Sequence, residues 1–389
     1  MNPATPPLPR RLILAGACLG MVTLSFAVNI PAVCLTSIGR DFAFDAAGSG
    51  LFLSCSFWGL FVAILATGPL GDRWGPRVLL IASAGFQTAG FWTAGFAASR
   101  PILFLGAFLI GVGAGMSDAL LTPVVCAVYP EARNRVSNLI HGFYPIGTLI
   151  TIGLILVLFE LHWSWRWIYR LIGLICLPYG AVFAILSLPG RMHSGTDRMG
   201  SRNLLRQVPF LLLLGGIFLA GVTELGPSQW LPAYLEKVSS VGKSQGALGL
   251  LVFGVTMATG RLMNSWVFHR WDPRRLFLIG GLLCGAGLIL AAIPAPAVLT
   301  VVCLALVGLG VSVFWPTILA CAGNRFPQAG ASMYSALTAA GNFGGVAGPL
   351  LIGLVAQRCG LRWGMAVLSL APILAIALLV RRNSTPHTT

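Results

Sequence analysis

Between two long apolar runs the chain reads Gly68-Pro-Leu-Gly-Asp-Arg-Trp-Gly-Pro-Arg77. About 197 residues further along, a second polar loop reads His269-Arg-Trp-Asp-Pro-Arg274, which is identical to the first at four of the six positions from Asp72 onward. Two further matches at this offset are Gly111 with Gly308 and Gly113 with Gly310. Several matches at one common offset indicate an internal duplication of the chain.

The sequence around these loops consists of twelve apolar runs, each about as long as the 20 residues that a helix needs to cross a bilayer. The runs are roughly 12–36, 48–70, 78–98, 101–126, 136–159, 166–188, 209–235, 244–268, 276–295, 297–322, 331–356 and 363–380. The chain of 389 residues is 57% hydrophobic and 9% charged, whereas soluble domains carry about 25% charged residues. This composition excludes an ordinary soluble enzyme, a disordered chain and a secreted disulfide scaffold. It predicts an all-α membrane protein with twelve transmembrane helices.

Six spans in each repeat give both halves the same orientation in the membrane. We therefore expect two six-helix bundles, 1–188 and 209–389, related by a pseudo-two-fold axis along the membrane normal. The polar stretch 189–208 would join them on the cytoplasmic side. Parallel repeats of this kind are typical of secondary transporters.

The basic residues that give the chain its formal net charge of +15 are distributed among the loops in agreement with this topology. With the N-terminus in the cytoplasm, the cytoplasmic loops and helix ends hold about twice as many Arg and Lys residues as the opposite side, which favours cytoplasmic termini. Membrane topology thus explains the basic residues, and no nucleic-acid partner is expected. The nine Cys residues are scattered and form no C-x-x-C pair, so we expect neither a metal site nor a disulfide framework.

Three ionisable side chains inside the spans are candidates for proton coupling, because such groups are costly in hydrocarbon and usually face a cavity or a partner. Asp118 and His141 lie at similar depth in two antiparallel spans joined by a short loop, so they can approach each other. Glu224 lies near the middle of the seventh span. The alternative for each is a structural hydrogen bond between spans.

Prolines mark a possible binding region. Pro227 follows Glu224 by three residues, and Pro31 follows Asn29 by two; a proline removes a bond from the helix ladder and frees a carbonyl group. Six polar or aromatic side chains in the spans join Glu224 as candidates for substrate binding: Asn29, Tyr144, Ser228, Gln229, Trp315 and Asn342. Trp315 takes the position in the second repeat that Asp118 has in the first. For Tyr144, core packing or an interfacial aromatic belt is the alternative.

The loop Gly68–Arg77, its degraded copy and the twelve spans resemble the major facilitator superfamily over essentially the whole chain. The resemblance implies transport between two bundles and a latch on the cytoplasmic side, which we call the gate. Five residues would form the gate: Asp72, Arg73, Arg77, Arg261 and Asp272. The alternative is that these basic residues only hold the loops in the cytoplasm.

A narrower resemblance concerns bacterial sugar-type members of that superfamily near the fucose–proton symporters. It is carried by Gly111-x-Gly-x-Gly-x-x-Asp118, by His141-Gly-Phe143, and by Glu224 with Trp230-Leu-Pro-Ala-Tyr-Leu235. Thr122 stands where those relatives often carry Asn, and we add it to the candidates for substrate binding. The resemblance implies a bacterial cytoplasmic (inner) membrane protein.

The leading hypothesis is therefore a secondary transporter of a small polar solute, possibly sugar-like, that works by alternating access and is coupled to protons. The alternative within transport is efflux of a metabolite or a drug. A membrane sensor or an intramembrane enzyme is a third hypothesis, but the sequence shows no receptor domain and no catalytic constellation. We expect no cofactor, and a monomer in the lipid bilayer.

Overall fold

A computed structural model describes residues 9–186, 188, 201–267, 271–326 and 328–380. These residues form helices and connecting turns, with no β-strand among them. The helices are α1 Arg10–Asp41, α2 Ala46–Gly95, α3 Arg100–Val128, α4 Arg133–Glu160, α5 Trp165–Ile185, α6 Ser201–Leu204, α7 Val208–Val238, α8 Lys243–Trp266, α9 Pro273–Ala292, α10 Ala297–Val311, α11 Phe314–Arg325, α12 Gly330–Cys359, α13 Leu361–Val367 and α14 Leu370–Val380.

Helices cover all twelve predicted runs. Eleven helical segments in the described part of the chain are long and apolar enough to cross a membrane. The predicted run 78–98 is helical as far as Gly95 but does not belong to these eleven segments; it contains the polar pair Gln87 and Thr88. The predicted all-α membrane architecture is confirmed.

In the loop between the second and third predicted spans, helix α2 is broken at a single glycine. Gly75 has φ 79° and ψ 159°, which separates α2 into the second and third predicted spans. Side chains with a Cβ atom rarely adopt this conformation, whereas glycine does so readily. Arg77, two residues later, bonds the last carbonyl groups of α5: its Nε donates to Phe183 O over 3.3 Å, and its Nη2 donates to Ala184 O.

The internal contacts divide the chain into two compact units. Unit 1 comprises residues 1–28, 59–158 and 163–193, and unit 2 comprises residues 29–58, 159–162 and 194–389. The C-terminal part of α1 and the N-terminal part of α2 thus belong to unit 2, although both lie within the first predicted bundle. The predicted bundle boundaries stay a prediction, and most of the predicted linker, 189–200, lies outside the described residues.

Small residues allow the helices of unit 1 to approach closely. A Cβ atom on Gly113 of α3 would lie about 2.4 Å from the carbonyl oxygen of Ser83 in α2. A Cβ atom on Gly147 of α4 would lie about 2.9 Å from the Cα atom of Val22 in α1. Close helix packing through small residues is common in membranes, where apolar burial alone does not drive association.

Unit 2 is built around the contact between α7 and α12. Gly221 of α7 faces the carbonyl oxygen of Gly341 in α12 with no room for a side chain, and Trp230 Nε1 donates a hydrogen bond to Pro349 O over 3.0 Å. The first part of α2 packs against the same helix, because Ser54 Oγ donates to Val346 O over 2.8 Å. These contacts place the middle of α7 inside unit 2.

Candidate functional site

The centre of the candidate site in unit 2 is an ion pair between α7 and α8. Arg261 Nη2 lies 3.2 Å from Glu224 Oε1 and 3.5 Å from Glu224 Oε2. Glu224 is buried, whereas the Arg261 side chain keeps 35% of its surface exposed. A carboxylate can be buried here because the guanidinium compensates its charge.

The helix around Glu224 is continuous. α7 runs from Val208 to Val238 through Pro227, so the proline does not end the helix. The hydroxyl of Ser228 donates to the carbonyl oxygen of Leu225 in its own helix over 3.3 Å, and Gln229 is buried. Asn29 of α1 is also buried and belongs to unit 2, as Glu224 does.

Trp315 and Asn342 lie on two further helices of unit 2. The six-membered ring of Trp315 covers Gly341 of α12, and a Cβ atom on that glycine would meet the ring. Trp315 Nε1 is buried and has no hydrogen-bond partner among the described residues. Asn342 Nδ2 donates to Thr338 O of its own helix over 3.0 Å.

The glycine contacts relate Trp315 to the ion pair. The ring of Trp315 rests on Gly341, and Gly341 faces Gly221 of α7. Glu224 follows Gly221 by three residues, which is about one helical turn. Gly341 of α12 therefore contacts both the ring of Trp315 and the turn of α7 that precedes Glu224.

In unit 1 the structure brings His141 of α4 to Thr122 of α3. His141 Nε2 and Thr122 Oγ1 are 3.0 Å apart. Asp118 is half-buried and lies four residues before Thr122, hence on the same face of α3. The direct Asp118–His141 approach stays a prediction. Tyr144 follows His141 by three residues on α4 and is also half-buried.

A buried polar network that the sequence did not predict lies next to Asp118 along α3. Ser83 Oγ and Ser117 Oγ are 2.6 Å apart, Tyr179 OH lies 3.2 Å from Ser117 Oγ, and Gln87 Nε2 donates to Ser117 Oγ over 3.3 Å. These side chains come from α2, α3 and α5, and all are buried. The available signal was the spacing of Ser83 and Gln87, which are four residues apart in an apolar run.

Four of the five predicted gate residues have separate local partners in the described part of the chain. Arg77 bonds the end of α5, and the Arg73 guanidinium lies 5.9 Å from the ring centroid of Trp74. Asp272 Oδ1 accepts a hydrogen bond from Arg274 N over 3.0 Å and caps α9. Arg261 pairs with Glu224 inside unit 2. The Asp72 side chain lies outside the described residues, so the gate stays a prediction.

Comparison with known proteins gives the family. A model of the Major Facilitator Superfamily matches residues 15–328 and 240–389. An uncharacterised MFS-type transporter of Yersinia pestis is 25% identical over 86% of this chain and 87% of its own length. The gentisate transporter of Corynebacterium glutamicum is 24% identical over 90% of this chain and 83% of its own length.

Solved structures show the same fold. The crystal structure of the D-xylose-proton symporter superposes with a TM-score of 0.75 at 12% identity, and covers 95% of this chain and 97% of its own. The chain therefore belongs to the Major Facilitator Superfamily. It is a multi-pass membrane transporter of small solutes, not an enzyme. The narrower resemblance to fucose–proton symporters is not confirmed by these comparisons.

Proposed function

We propose that the chain is a secondary active transporter that moves a small polar solute by alternating access and couples this movement to protons. It would work as a monomer in a bacterial inner membrane, with both termini in the cytoplasm. The observation that carries the proposal is the Glu224–Arg261 ion pair, in which a carboxylate buried in the middle of the apolar helix α7 meets a guanidinium of α8. A charged pair at this depth is costly to keep for packing alone, and such groups in transporters commonly mark the path of a substrate or an ion.

Glu224 is the proposed proton carrier in unit 2. Its carboxylate is stabilised by one guanidinium, so a proton on Glu224 would weaken the α7–α8 contact. Protonation of Glu224 would therefore change how α7 packs against α8. Proton transfer and rearrangement of the helices would in this way be linked.

In unit 1, Asp118 is the proposed second proton site, and the Thr122–His141 pair would sense its charge. Asp118 and Thr122 lie on one face of α3, and Thr122 joins this face to His141 of α4. An imidazole can gain or lose a proton in the physiological range, which suits it to relay such a change.

The proposed solute has a polar ring, whether sugar-like or aromatic. Relatives and structural neighbours are named for gentisate and D-xylose. The ring of Trp315 and the side chain of Asn342 are proposed to contact the solute in unit 2. Asn29 of α1 and Ser228 and Gln229 of α7 are further proposed binding residues. Thr122 and Tyr144 of unit 1 remain proposed binding residues on the ground of the sequence alone.

Transport by purified protein in liposomes tests the proposal. Vesicles containing a pH-sensitive dye are given gentisate or D-xylose, with and without an imposed pH gradient. We expect one of these solutes to accumulate against its gradient when the outside is acidic and to carry protons inward. Accumulation that ignores the pH gradient would contradict proton coupling.

A matched pair of variants assigns the effect to Glu224. Glu224→Gln should abolish accumulation driven by the pH gradient while leaving solute exchange measurable. Glu236→Gln is the control, since Glu236 lies on the same helix but accepts a hydrogen bond from the neutral Thr36 hydroxyl over 2.7 Å. Equal behaviour of the two variants would show that Glu224 has no special role.

A further inference from the structure

We infer that unit 1 binds an anionic phospholipid of the surrounding bilayer, whose phosphate is held by Arg170 where α2 ends and α5 begins. This lipid is distinct from the transported solute, so its site is separate from the proposed function. Four side chains form the site, which we call the arginine cluster: Phe96, Arg166, Trp167 and Arg170.

The arginine cluster joins the first turns of α5 to the last residues of α2. Arg166 Nη1 donates to Ala97 O over 2.6 Å, and Arg170 Nε donates to Gly95 O over 3.2 Å. The two segments approach closely here, since a Cβ atom on Gly95 would lie 3.1 Å from the carbonyl oxygen of Arg166. These bonds fix both guanidinium groups beside the end of α2.

Two aromatic rings lie against the guanidinium of Arg170. Its Cζ atom is 3.9 Å from the ring centroid of Phe96 and 4.6 Å from that of Trp167. Both rings are exposed, Phe96 to 63% and Trp167 to 56%. Stacked rings cover the flat face of a guanidinium and leave the N–H groups along its edge available to a ligand. Apart from the bond to Gly95, this guanidinium has no hydrogen bond or ion pair with the described residues.

The positive charge of Arg170 has no acidic partner near it in unit 1. The three acidic residues of this unit are Asp72, Asp118 and Glu131. Asp118 lies 18 residues beyond Arg100, the first residue of α3, which is about 27 Å along the helix axis. The other two lie near Gly75 and Val128, at the opposite ends of these helices. An external anion is therefore favoured at Arg170, and the charge of Arg166, one turn earlier on α5, adds to the attraction.

The second repeat shows how many arginines a helix end of this kind needs. At the repeat offset of about 197 residues, Gly95 corresponds to Ala292, the last residue of α9. There a single arginine, Arg362, donates to Ala292 O over 3.4 Å. The positions that correspond to Phe96, Trp167 and Arg170 hold Ile293, Gly364 and Val367. One arginine thus suffices to bond the helix end, and Arg170 with its two rings is an addition that unit 1 alone carries.

The arginine cluster lies at the depth of lipid headgroups. Helices α3 and α5 are long and apolar enough to cross a membrane, and the cluster lies beside their first residues. Exposed Trp side chains such as Trp163 and Trp167 are typical of the boundary between headgroups and hydrocarbon. Phosphates are the anions of this layer, and Arg forms two parallel hydrogen bonds with a phosphate group.

An apolar surface continues from the cluster toward the middle of the spans. Trp92 precedes Phe96 by about one turn of α2 and is exposed, and a Cβ atom on Gly173 of α5 would lie 2.6 Å from its ring. Leu174 and Leu177 of α5 are exposed as well and follow Arg170 by one and two turns. An acyl chain of the bound lipid would lie along these side chains.

Lipid titration of the purified full-length chain in an uncharged detergent tests the inference. The melting temperature is measured with phosphatidylglycerol and with phosphatidylcholine of the same acyl chains, whose choline group cancels the charge of the phosphate. Glycerol phosphate and inorganic phosphate supply the anion without an acyl chain. We expect a saturable rise with phosphatidylglycerol, a much smaller rise with phosphatidylcholine, and no rise with the two soluble anions.

Variants assign the lipid to the arginine cluster. Arg170→Gln should weaken phosphatidylglycerol binding about fivefold, the contribution expected of one Arg beside an anionic lipid. Arg362→Gln is the matched control, because it removes an arginine that also bonds a helix end, and it should bind the lipid normally. Trp167→Ala keeps the charge but removes a ring that holds the guanidinium, and it should weaken binding severalfold. Each affinity is taken from shifts relative to the lipid-free melting temperature of the same variant.

Four results would overturn the inference. Equal rises with the two lipids would reject an anionic lipid. A rise with a soluble phosphate that matches the rise with phosphatidylglycerol would reject the bilayer as its source. Equal losses in Arg170→Gln and Arg362→Gln would mean that any arginine at the membrane surface has this effect. Normal lipid binding in Trp167→Ala and in Arg170→Gln, or in Trp167→Ala alone if Arg170→Gln does not fold, would reject the arginine cluster as the site.

Discussion

The two units bury polar groups in opposite ways. Unit 1 encloses a neutral network, in which Ser83, Ser117 and Tyr179 bond one another. Unit 2 encloses a charged pair, Glu224 with Arg261. A satisfied neutral network holds helices in one arrangement, whereas a charged pair changes its energy with every proton or anion that reaches it. The comparison suggests that the network next to Asp118 supports unit 1 and that the ion pair responds to ligands.

The largest effect is expected where the charged pair is broken on one side. Arg261→Gln leaves the Glu224 carboxylate buried without a counter-charge and should destabilise the protein by about 3–5 kcal/mol. Removal of both charges, with Glu224→Gln added, should recover most of this loss. Equilibrium unfolding in mixed detergents measures both variants. A double variant as unstable as the single one would mean that the pair does not act through its charge.

A smaller effect is expected at the glycine under Trp315. In Gly341→Ala the new methyl group meets the indole ring, which must move, and overpacking of this kind costs about 1–3 kcal/mol. Solute binding should weaken several-fold if Trp315 contacts the solute. The matched control is Gly285→Ala in α9, whose Cβ atom would meet its neighbours at 3.8 Å or more. Unchanged affinity in Gly341→Ala, measured by melting-temperature shifts, would remove Trp315 from the site.

A substitution in the neutral network of unit 1 should lower the stability of the protein without changing the coupling of uptake to protons. Tyr179→Phe removes a hydroxyl bonded to Ser117 and should cost about 1–2 kcal/mol. The pH dependence of solute uptake should not change, because no charge is removed. Tyr234→Phe is the corresponding variant in unit 2, where the hydroxyl donates to Ala291 O over 2.7 Å. A shifted pH profile in Tyr179→Phe would give the network a role in coupling.

The smallest effect is expected at Glu236, a carboxyl group of unit 2 with a neutral partner. Glu236→Gln retains an oxygen that can accept from Thr36, so we expect a loss of at most about 1 kcal/mol. Proton-driven uptake should stay within about twofold of the unmodified protein, since the charge that is lost lies at the end of α7 near Lys237, Lys243 and Arg40, where partly exposed charge pairs contribute little. The initial rate of uptake measures this, and a large loss would place a second coupling group on α7.

The sequence predicted most of the fold, because the apolar runs, glycines and basic loops each carry a local signal. The run 78–98 was identified correctly as a helix although Gln87 and Thr88 lower its hydropathy, and the break before it is formed by Gly75. The grouping of residues 29–58 with unit 2 has no such signal, since it depends on contacts between distant segments.

The candidate site was harder to predict from sequence. Glu224 stood out as an acidic residue in the middle of a span, but Arg261 lies near a helix end and was assigned to the gate. Only the rotation of α8 against α7 brings its side chain to Glu224. In the same way, the similar depth of Asp118 and His141 in their spans gave no indication that Thr122 contacts His141.

Arg77 lies in the loop between two spans, where its charge also bears on how the chain enters the membrane. A basic residue such as Arg77 helps to fix which loops stay in the cytoplasm while the helices enter the bilayer. In the finished protein the same guanidinium occupies the carbonyl groups of Phe183 and Ala184, which would otherwise end α5 unsatisfied. A single side chain would then serve biogenesis first and helix termination afterwards, so its replacement could impair insertion even where the mature transporter tolerates it.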